Sequence, residues 1–450
     1  MLKKITPNII LNKLNSREGM RKMAGNFAWL LADKFLKIIV VMGVNIWMWN
    51  YLGSIQKGAW DYAIALVAIL SPLAALGLDA VVVKEMVLFP QKTDKILGST
   101  FTLKLFGGIL LTIIASVTIL FLRPNEPELF YFVLITASSN IFLAFDSIDF
   151  FNQTHLISKN TVLSKSIGYL FTSGLKVTFI LQGLSIMAFV WTQFIEFAIG
   201  AGLMVFWYHK SGKKIGLWKI EKSTAIGLLR QSWPLIITAF FMIVQQYIEQ
   251  LFIGDWLGDS ELGVYTIASR IIVLFGFIPM IIFTTVAPEM TKAKATNDKL
   301  FLFKLLRVYQ IMFIVSVFIM LGCMIFGQYI INLLFKPEFE AAGLYLAIMS
   351  IRLIFINFGV AKGLFIVNNN LYKYFMFTSI VGVVVDVALI YILLPIYGSV
   401  GAIWGSIISM VVSIYLIDAF YPKARGNFKI MSKCFYDVNS YFKKPGGDNS

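Results

Sequence analysis

Histidine and cysteine are nearly missing from this 450-residue sequence, with two of each. Cys323 falls inside an apolar run and Cys434 in a basic tail, so neither a disulfide framework nor a cysteine-built metal site is available. His155 and His209 both stand in polar connecting segments, away from any nucleophile–base constellation or metal-ligand cluster. No glycine-rich phosphate loop of Walker type occurs, which removes direct ATP chemistry from consideration. Charge is scarce too: Asp, Glu, Lys and Arg make up 14% of the chain, against about 25% in a soluble protein. No polar stretch between apolar runs exceeds about twenty residues, too few for a soluble domain with its own core.

What fills the sequence instead is apolar, with 58% hydrophobic residues and a mean hydropathy of +0.78. An apolar run of about 18 residues or more is long enough to cross a bilayer as a helix. On that criterion the sequence predicts an all-α membrane protein of about 12 transmembrane helices, at 26–49, 59–78, 98–122, 129–151, 161–181, 184–208, 233–253, 263–285, 305–326, 341–367, 371–394 and 398–418. The first run carries Asp33, Lys34 and Lys37 and is too long and too charged for a cleaved signal segment.

The net charge of +15 points to topology and away from nucleic acid. Of 39 Lys and Arg residues, 29 lie in alternate connecting segments with the adjoining span ends and in the two tails; the opposite loops hold Lys57, Arg123 and Lys336, and seven lie deeper inside spans. Such alternation is the positive-inside pattern, and it places both termini in the cytoplasm with an even number of spans. Contact of the basic segments with anionic headgroups is a secondary consequence. The expected organisation is a cytoplasmic tail (1–25), a six-helix bundle (26–208), a basic linker (209–230), a second six-helix bundle (231–420) and a basic tail (421–450). Trp218 and Leu217 of the linker are expected in the headgroup region, and Trp47, Trp49, Trp60 and Trp256 in an aromatic belt at the outer ends of spans.

A repeat supports the two-bundle reading. Tyr51-Leu52-Gly53 is followed by Gly58 and Ala63, and Trp256-Leu257-Gly258 by Gly263 and Ala268 at the same spacing, with Pro72 and Pro279 in the helices beyond. Two bundles in the same orientation, related by a pseudo-two-fold axis along the membrane normal, form a transporter architecture with substrate bound between them.

Charges within spans carry the functional argument. Each costs roughly 2.5 to 3.5 kcal/mol at the centre of a bilayer, so it faces a partner or a wet cavity. The basic ones are Lys34, Lys37, Lys104, Lys176, Arg270, Arg352 and Lys362; the acidic ones are Asp33, Asp61, Asp146, Glu196, Glu249 and Asp386. Lys104 and Lys362 lie close enough to the cytoplasmic side to snorkel, and Asp61 near the outer end. Asp33 and Lys37, four apart, suit an internal salt bridge, and Asp146 and Asp149 a helix cap. Glu249 and Arg270 flank the turn at Gly258-Asp259 at similar depth, so they can pair. Arg270, Arg352, Lys37 and Lys176 suit a cationic cavity for an anionic headgroup, since arginine binds phosphate oxygens in pairs; buried structural pairing accounts for them equally well. Glu249, Asp386, Glu196 and Asp33 are candidates for proton coupling.

At these residues the sequence resembles a known family. Asn26-Phe-Ala-Trp29-Leu-Leu-Ala-Asp33-Lys34, Tyr51-Leu-Gly53 with Gly58, Ala75-Leu-Gly77-Leu-Asp79, Glu249-Gln250 ahead of Gly263-Val-Tyr265 and Ala268-Ser-Arg270, and Tyr397-Gly398 with Gly401-Ala402 resemble the O-antigen and capsule-unit polysaccharide flippases. That family belongs to the multidrug/oligosaccharidyl-lipid/polysaccharide exporter superfamily, and Glu249 stands where it more often has Asp. The resemblance implies translocation of undecaprenyl-diphosphate-linked oligosaccharide from the cytoplasmic to the outer face of a bacterial inner membrane. It implies alternating access, coupling to H+ or Na+ antiport and no cofactor. Glycosyltransferases and a polysaccharide polymerase are the implied partners, and a monomer is the default state. Two other readings stand beside it: a multidrug cation antiporter of the same superfamily, expected to have an acidic cavity, and a membrane-embedded polysaccharide polymerase or ligase, expected to have a sizeable outer loop.

Overall fold

The computed structural model describes residue 40 and residues 42–436, and every regular element among them is helical. In chain order these are α1 Met42–Leu70, α2 Pro72–Ala75, α3 Asp79–Leu88, α4 Thr93–Leu122, α5 Pro127–Ser139, α6 Asp146–Thr154, α7 Lys159–Leu181, α8 Ile186–Lys210, α9 Lys222–Leu257, α10 Asp259–Leu274, α11 Phe277–Thr296, α12 Asp298–Leu334, α13 Ala342–Met349, α14 Arg352–Asn368, α15 Tyr372–Met410, α16 Ile417–Phe420 and α17 Arg425–Tyr436. A π-turn, Val411–Leu416, joins α15 to α16. In hydrocarbon a backbone group has no water to bond, so an apolar chain of this kind satisfies its amides within helices.

Among the described residues, seven helices are long and apolar enough to cross a membrane, or nine when two helix pairs bent by 42° and 47° each count as one span. Two of these ranges each hold two helices. α1 is broken at Gly53 and α15 at Gly398, where the backbone leaves the helical region with a positive φ that a side chain would resist. The first expected span lies almost wholly outside the described residues. Gly53 (φ 78°, ψ 171°) and Gly258 (φ 90°, ψ 169°), matched by the sequence repeat, adopt the same backbone conformation. The duplicated motif is therefore a duplicated turn.

The chain forms two compact units. One comprises the chain up to Tyr51 together with Leu66–Ala239, the other Leu52–Ala65 together with the chain from Phe240 onward. This differs from a simple split at the linker, because a short piece of α1 packs in the second unit. The core of the first unit gathers Leu78, Val82 and Met86 with Leu97, Ile148, Met204 and Tyr208. That of the second gathers Phe301, Leu305, Tyr309 and Met312 of α12 with Phe358 and Ala361 of α14 and Met431 of α17. Outward-facing Phe106, Phe121, Phe318 and Leu333 suit contact with acyl chains.

The basic linker is clipped to the first unit. Trp218 packs on Phe101 and donates to the Tyr208 hydroxyl at 3.0 Å, so it is half-buried against protein, while Leu217 is exposed. Glu221 accepts from Lys95 Nζ at 2.7 Å, and its backbone N–H donates to Ser99 Oγ at 3.2 Å. The expected aromatic belt is only half present: Trp47 and Trp256 are exposed, whereas Trp49 and Trp60 are buried.

Candidate functional site

The residues predicted to matter fall in different places. Asp33 and Lys37 lie outside the described residues. Lys176 and Glu196 belong to the first unit, on α7 and α8. Lys176 Nζ donates to Asn45 Oδ1 at 3.1 Å, and Glu196, half-buried, accepts from Thr172 Oγ1 at 3.3 Å. Glu249, Arg270, Arg352 and Asp386 all lie in the second unit, in two distinct clusters.

The first cluster is built on a helix crossing. From Gly53 and Gly258 onward, α1 and α10 meet so closely that a Cβ on Gly58 would lie 1.7 Å from the Asp259 carbonyl oxygen, and one on Gly263 2.1 Å from that of Ser54. These contacts are reciprocal, since Ser54 and Asp259 follow the matched glycines and Gly58 and Gly263 lie five beyond them. Ser54 Oγ and Ser260 Oγ are 2.8 Å apart. Close approach of two backbones at small residues is the usual means of helix association in membranes. It brings Lys57 Nζ within 3.0 Å of the Gly263 carbonyl oxygen and 2.5 Å of Asp61 Oδ2. Arg270 Nη2 donates to Asp61 as well, and Thr266 hydrogen-bonds both Lys57 and Asp61. Arg270 therefore pairs with Asp61, not with Glu249.

The second cluster lines a cavity of about 440 Å³ inside the second unit. α9 presents Gln245, Gln246 and Glu249, α10 Ser269, α14 Arg352 and Lys362, and α15 Thr378 and Ser379; the remaining wall is largely apolar, with Met242, Ile272, Leu353, Ile356, Phe375 and Met410. The 47° bend between Pro337–Met349 and Arg352–Asn368 sets Arg352 at the first turn of α14. A cation is disfavoured there by the helix dipole, and Glu249 compensates for it. Arg352 Nη2 donates to Glu249 Oε2 at 2.7 Å, with longer contacts from Nη1 to Tyr265 Oη at 3.4 Å and from Nη2 to the Ile403 carbonyl at 3.5 Å. Tyr265 donates its hydroxyl to the same Glu249 oxygen. Arg352 Nε has no hydrogen-bond partner among the described residues, and neither has either carboxylate oxygen of Asp386 on α15. Asp386 is fully buried and within electrostatic reach of Glu249 and Arg352.

Lys362 lies on another part of the cavity wall. It does not snorkel: it is buried and donates to Asp418 Oδ1 at 2.5 Å and to the carbonyls of Ser413 and Ile414, at 3.3 and 3.1 Å, in the π-turn. Asp418 also accepts from Tyr374 at 2.6 Å and from Asn427 of α17 at 2.8 Å. Lys104 is buried as well, within 3.4 Å of Asp79 and 3.6 Å of Asp146. Asp146 and Asp149 stand in the first turn of α6 without capping it by a side-chain bond, and both reach Lys165, at 3.2 and 3.7 Å.

A family model for polysaccharide biosynthesis protein matches residues 23–294. The chain belongs to that family. No curated protein matches it. Among solved structures, the polysaccharide biosynthesis fold seen here is similar to an inward-facing multidrug resistance MATE family transporter of the MOP superfamily, with 13% identity, 91% of this chain and 99% of the other covered, and a TM-score of 0.68. It is similar to the lipid II flippase MurJ in an inward closed conformation, with 16% identity, 94% of each chain covered and a TM-score of 0.69. It is also similar to an MOP superfamily transporter from Pyrococcus furiosus whose binding pocket is described as having reverse polarity, with 14% identity, 92% and 94% covered, and a TM-score of 0.54. At these identities the likeness establishes the fold alone, the one these MATE and MurJ structures have.

Three participants were not singled out from the sequence. Lys57, assigned to an outer loop, is 1% exposed beside Asp61; their i, i+4 spacing carried that pairing. Tyr265, on Glu249, had no charge to mark it. Asp418 sat at the predicted end of the last span, where a carboxylate draws no notice.

Proposed function

We propose that this protein is a flippase that moves undecaprenyl-diphosphate-linked oligosaccharide units from the cytoplasmic to the outer face of a bacterial inner membrane by alternating access, for surface polysaccharide biosynthesis. The observation that carries the reading is Arg352 on the wall of a largely apolar cavity, with guanidinium capacity beyond its bond to Glu249. A guanidinium in low dielectric is a strong receptor for diphosphate. Lys37 and Lys176 of the first half, and Arg270, would add positive potential along the path of the headgroup, while the polyprenyl chain stays in lipid. Movement of negative charge outward is favoured by an inside-negative potential, by about 2.3 kcal/mol per charge per 100 mV. Glu249 and Asp386, with Glu196 and Asp33 as further candidates, are the acids through which ion movement would be coupled. Membership of the polysaccharide biosynthesis family supports the substrate class, and likeness to a lipid II flippase supports the type of movement.

The test uses proteoliposomes carrying a labelled polyprenyl-diphosphate oligosaccharide in one leaflet, with exposure to an impermeant glycosidase on the other side as readout. Protein-dependent exposure that falls for Arg352→Ala and Arg270→Ala supports the reading; exposure equal to that of empty liposomes across several headgroups sinks it. A second reading, a multidrug cation antiporter, is favoured by Asp386, a buried carboxylate with no hydrogen-bond partner among the described residues. Efflux of a lipophilic cation that stops in Asp386→Asn would establish it.

A further inference from the structure

Of the two cations on the cavity wall, one is fully engaged and one is not. The Lys362 ammonium has three donors and three acceptors around it: Asp418 and the carbonyls of Ser413 and Ile414. Arg352 has five N–H donors and a single close acceptor, Glu249 Oε2 at 2.7 Å; its other contacts are 3.4 and 3.5 Å long and its Nε has none. Glu249 therefore sits where a ligand oxygen would sit. It is held there by the Tyr265 hydroxyl from the next helix, so it competes at the high effective concentration of an intramolecular group.

We propose that Glu249 is a built-in competitor for Arg352, so that the site accepts a phosphate dianion or diphosphate and rejects carboxylates, and that displacement of Glu249 is accompanied by uptake of one proton. The selectivity follows from the contest. A monoanionic carboxylate offers Arg352 nothing that Glu249 does not already offer, whereas a diphosphate brings more charge and oxygens spaced for the guanidinium fork. The proton follows from charge balance. Among the described residues, the charged and titratable groups facing Glu249 are Tyr265 from α10, Arg352 from α14 and Asp386 from α15. Gln245, Gln246 and Ser269, also on the cavity wall, are neutral, and Lys362 is tied to Asp418. Once Arg352 turns to the ligand, Glu249 is a buried carboxylate that has lost its counter-ion, and such a group does not stay ionised. One proton from hydronium in the bulk solvent adds to a Glu249 carboxylate oxygen, leaving a neutral acid and releasing water. By linkage, diphosphate then binds more tightly as pH falls.

This inference rests on the reading of Arg352 as a headgroup receptor, and its test is binding alone, so it can fail or hold separately from flipping. Inorganic diphosphate, monophosphate and acetate are titrated by calorimetry into purified full-length protein between pH 6 and pH 8. The readouts are wild type, Glu249→Gln and Arg352→Met, each first shown to elute as a monodisperse species. Glu249→Gln preserves shape and removes the competitor's charge: it is expected to bind diphosphate at least tenfold more tightly and to lose the pH slope that wild type shows beyond the titration of diphosphate itself, up to tenfold per pH unit for one linked proton. It should also begin to bind acetate. Arg352→Met abolishes binding. Equal pH slopes in wild type and Glu249→Gln, or diphosphate binding untouched by Arg352→Met, overturns the proposal. Flipping in proteoliposomes with either result would leave the transport reading in place and remove this site from it.

Discussion

Asp418 is the residue whose removal tests the packing argument most sharply. It is fully buried and holds three groups at once: Lys362 on the cavity wall, Tyr374 at the start of α15, and Asn427 in α17, which in turn accepts from Tyr309 at 3.0 Å. Asp418→Asn keeps the shape and removes the charge, leaving a buried ammonium with only two carbonyl acceptors. Breaking one side of a buried pair costs about 3 to 5 kcal/mol. Adding Lys362→Met removes the stranded charge, so the double variant should recover most of that loss and be more stable than Asp418→Asn alone. A local effect follows from the same geometry. Asn427 and Tyr374 lose a charged acceptor, each such bond being worth about 1.5 to 3 kcal/mol, so amides of 425–436 should exchange roughly ten- to a hundredfold faster. Thermal inactivation in detergent checks the first expectation and hydrogen exchange the second. Additive losses in the double variant, or unchanged exchange in α17, would refute the reasoning.

Two further outcomes are expected. Gly58→Ala places a Cβ against the Asp259 carbonyl oxygen and should lower the thermal midpoint by the equivalent of about 1 to 3 kcal/mol of overpacking; Gly202→Ala, which meets nothing within 4 Å, is the control and should not. Glu221, on the exposed linker, has its carboxyl held below the ordinary range by hydrogen bonds from Lys95 and then Thr224. Its folded-state value being depressed, the stabilisation it gives is present above the ordinary glutamate range, near 4.3, and fades as pH falls through the folded value. Exchange of the 219–222 amides should therefore quicken on acidification in wild type, and be already quick at neutral pH in Glu221→Gln; equal protection in the two proteins at neutral pH would count against it.

Much of the architecture was legible in the sequence, because bilayer thickness converts an apolar run directly into a helix and the spacing of Gly53, Gly58 and Ala63 reappears at Gly258, Gly263 and Ala268. The breaks at Gly53 and Gly398 fall between the expected spans, where the sequence has its Tyr-Leu-Gly and Tyr-Gly turns. Individual charges were identified and their partners were not. Depth along a span follows from counting, so Glu249 and Arg270 fell at the same level; which residue faces which depends on helix rotation and on the bend before Arg352. Neither leaves a local mark. Lys104 and Lys362 show the same gap: their reach permits snorkelling, but each is buried against a carboxylate.

The matched turns at Gly53 and Gly258 make the two copies of one sequence motif face each other, as identical subunits do across a dyad. In a true homodimer any charged residue on that dyad would confront its twin. Here the glycines have stayed the same while the positions between them have diverged: Lys57 answers to Leu262, Asp61 to Thr266 and Arg270 to Ala65. Every charge in the crossing lies where the copies disagree. Fusing both copies into one chain is what permits an odd set of charges to settle on a symmetric contact, and the contact gains a polarity that no pair of identical partners can have.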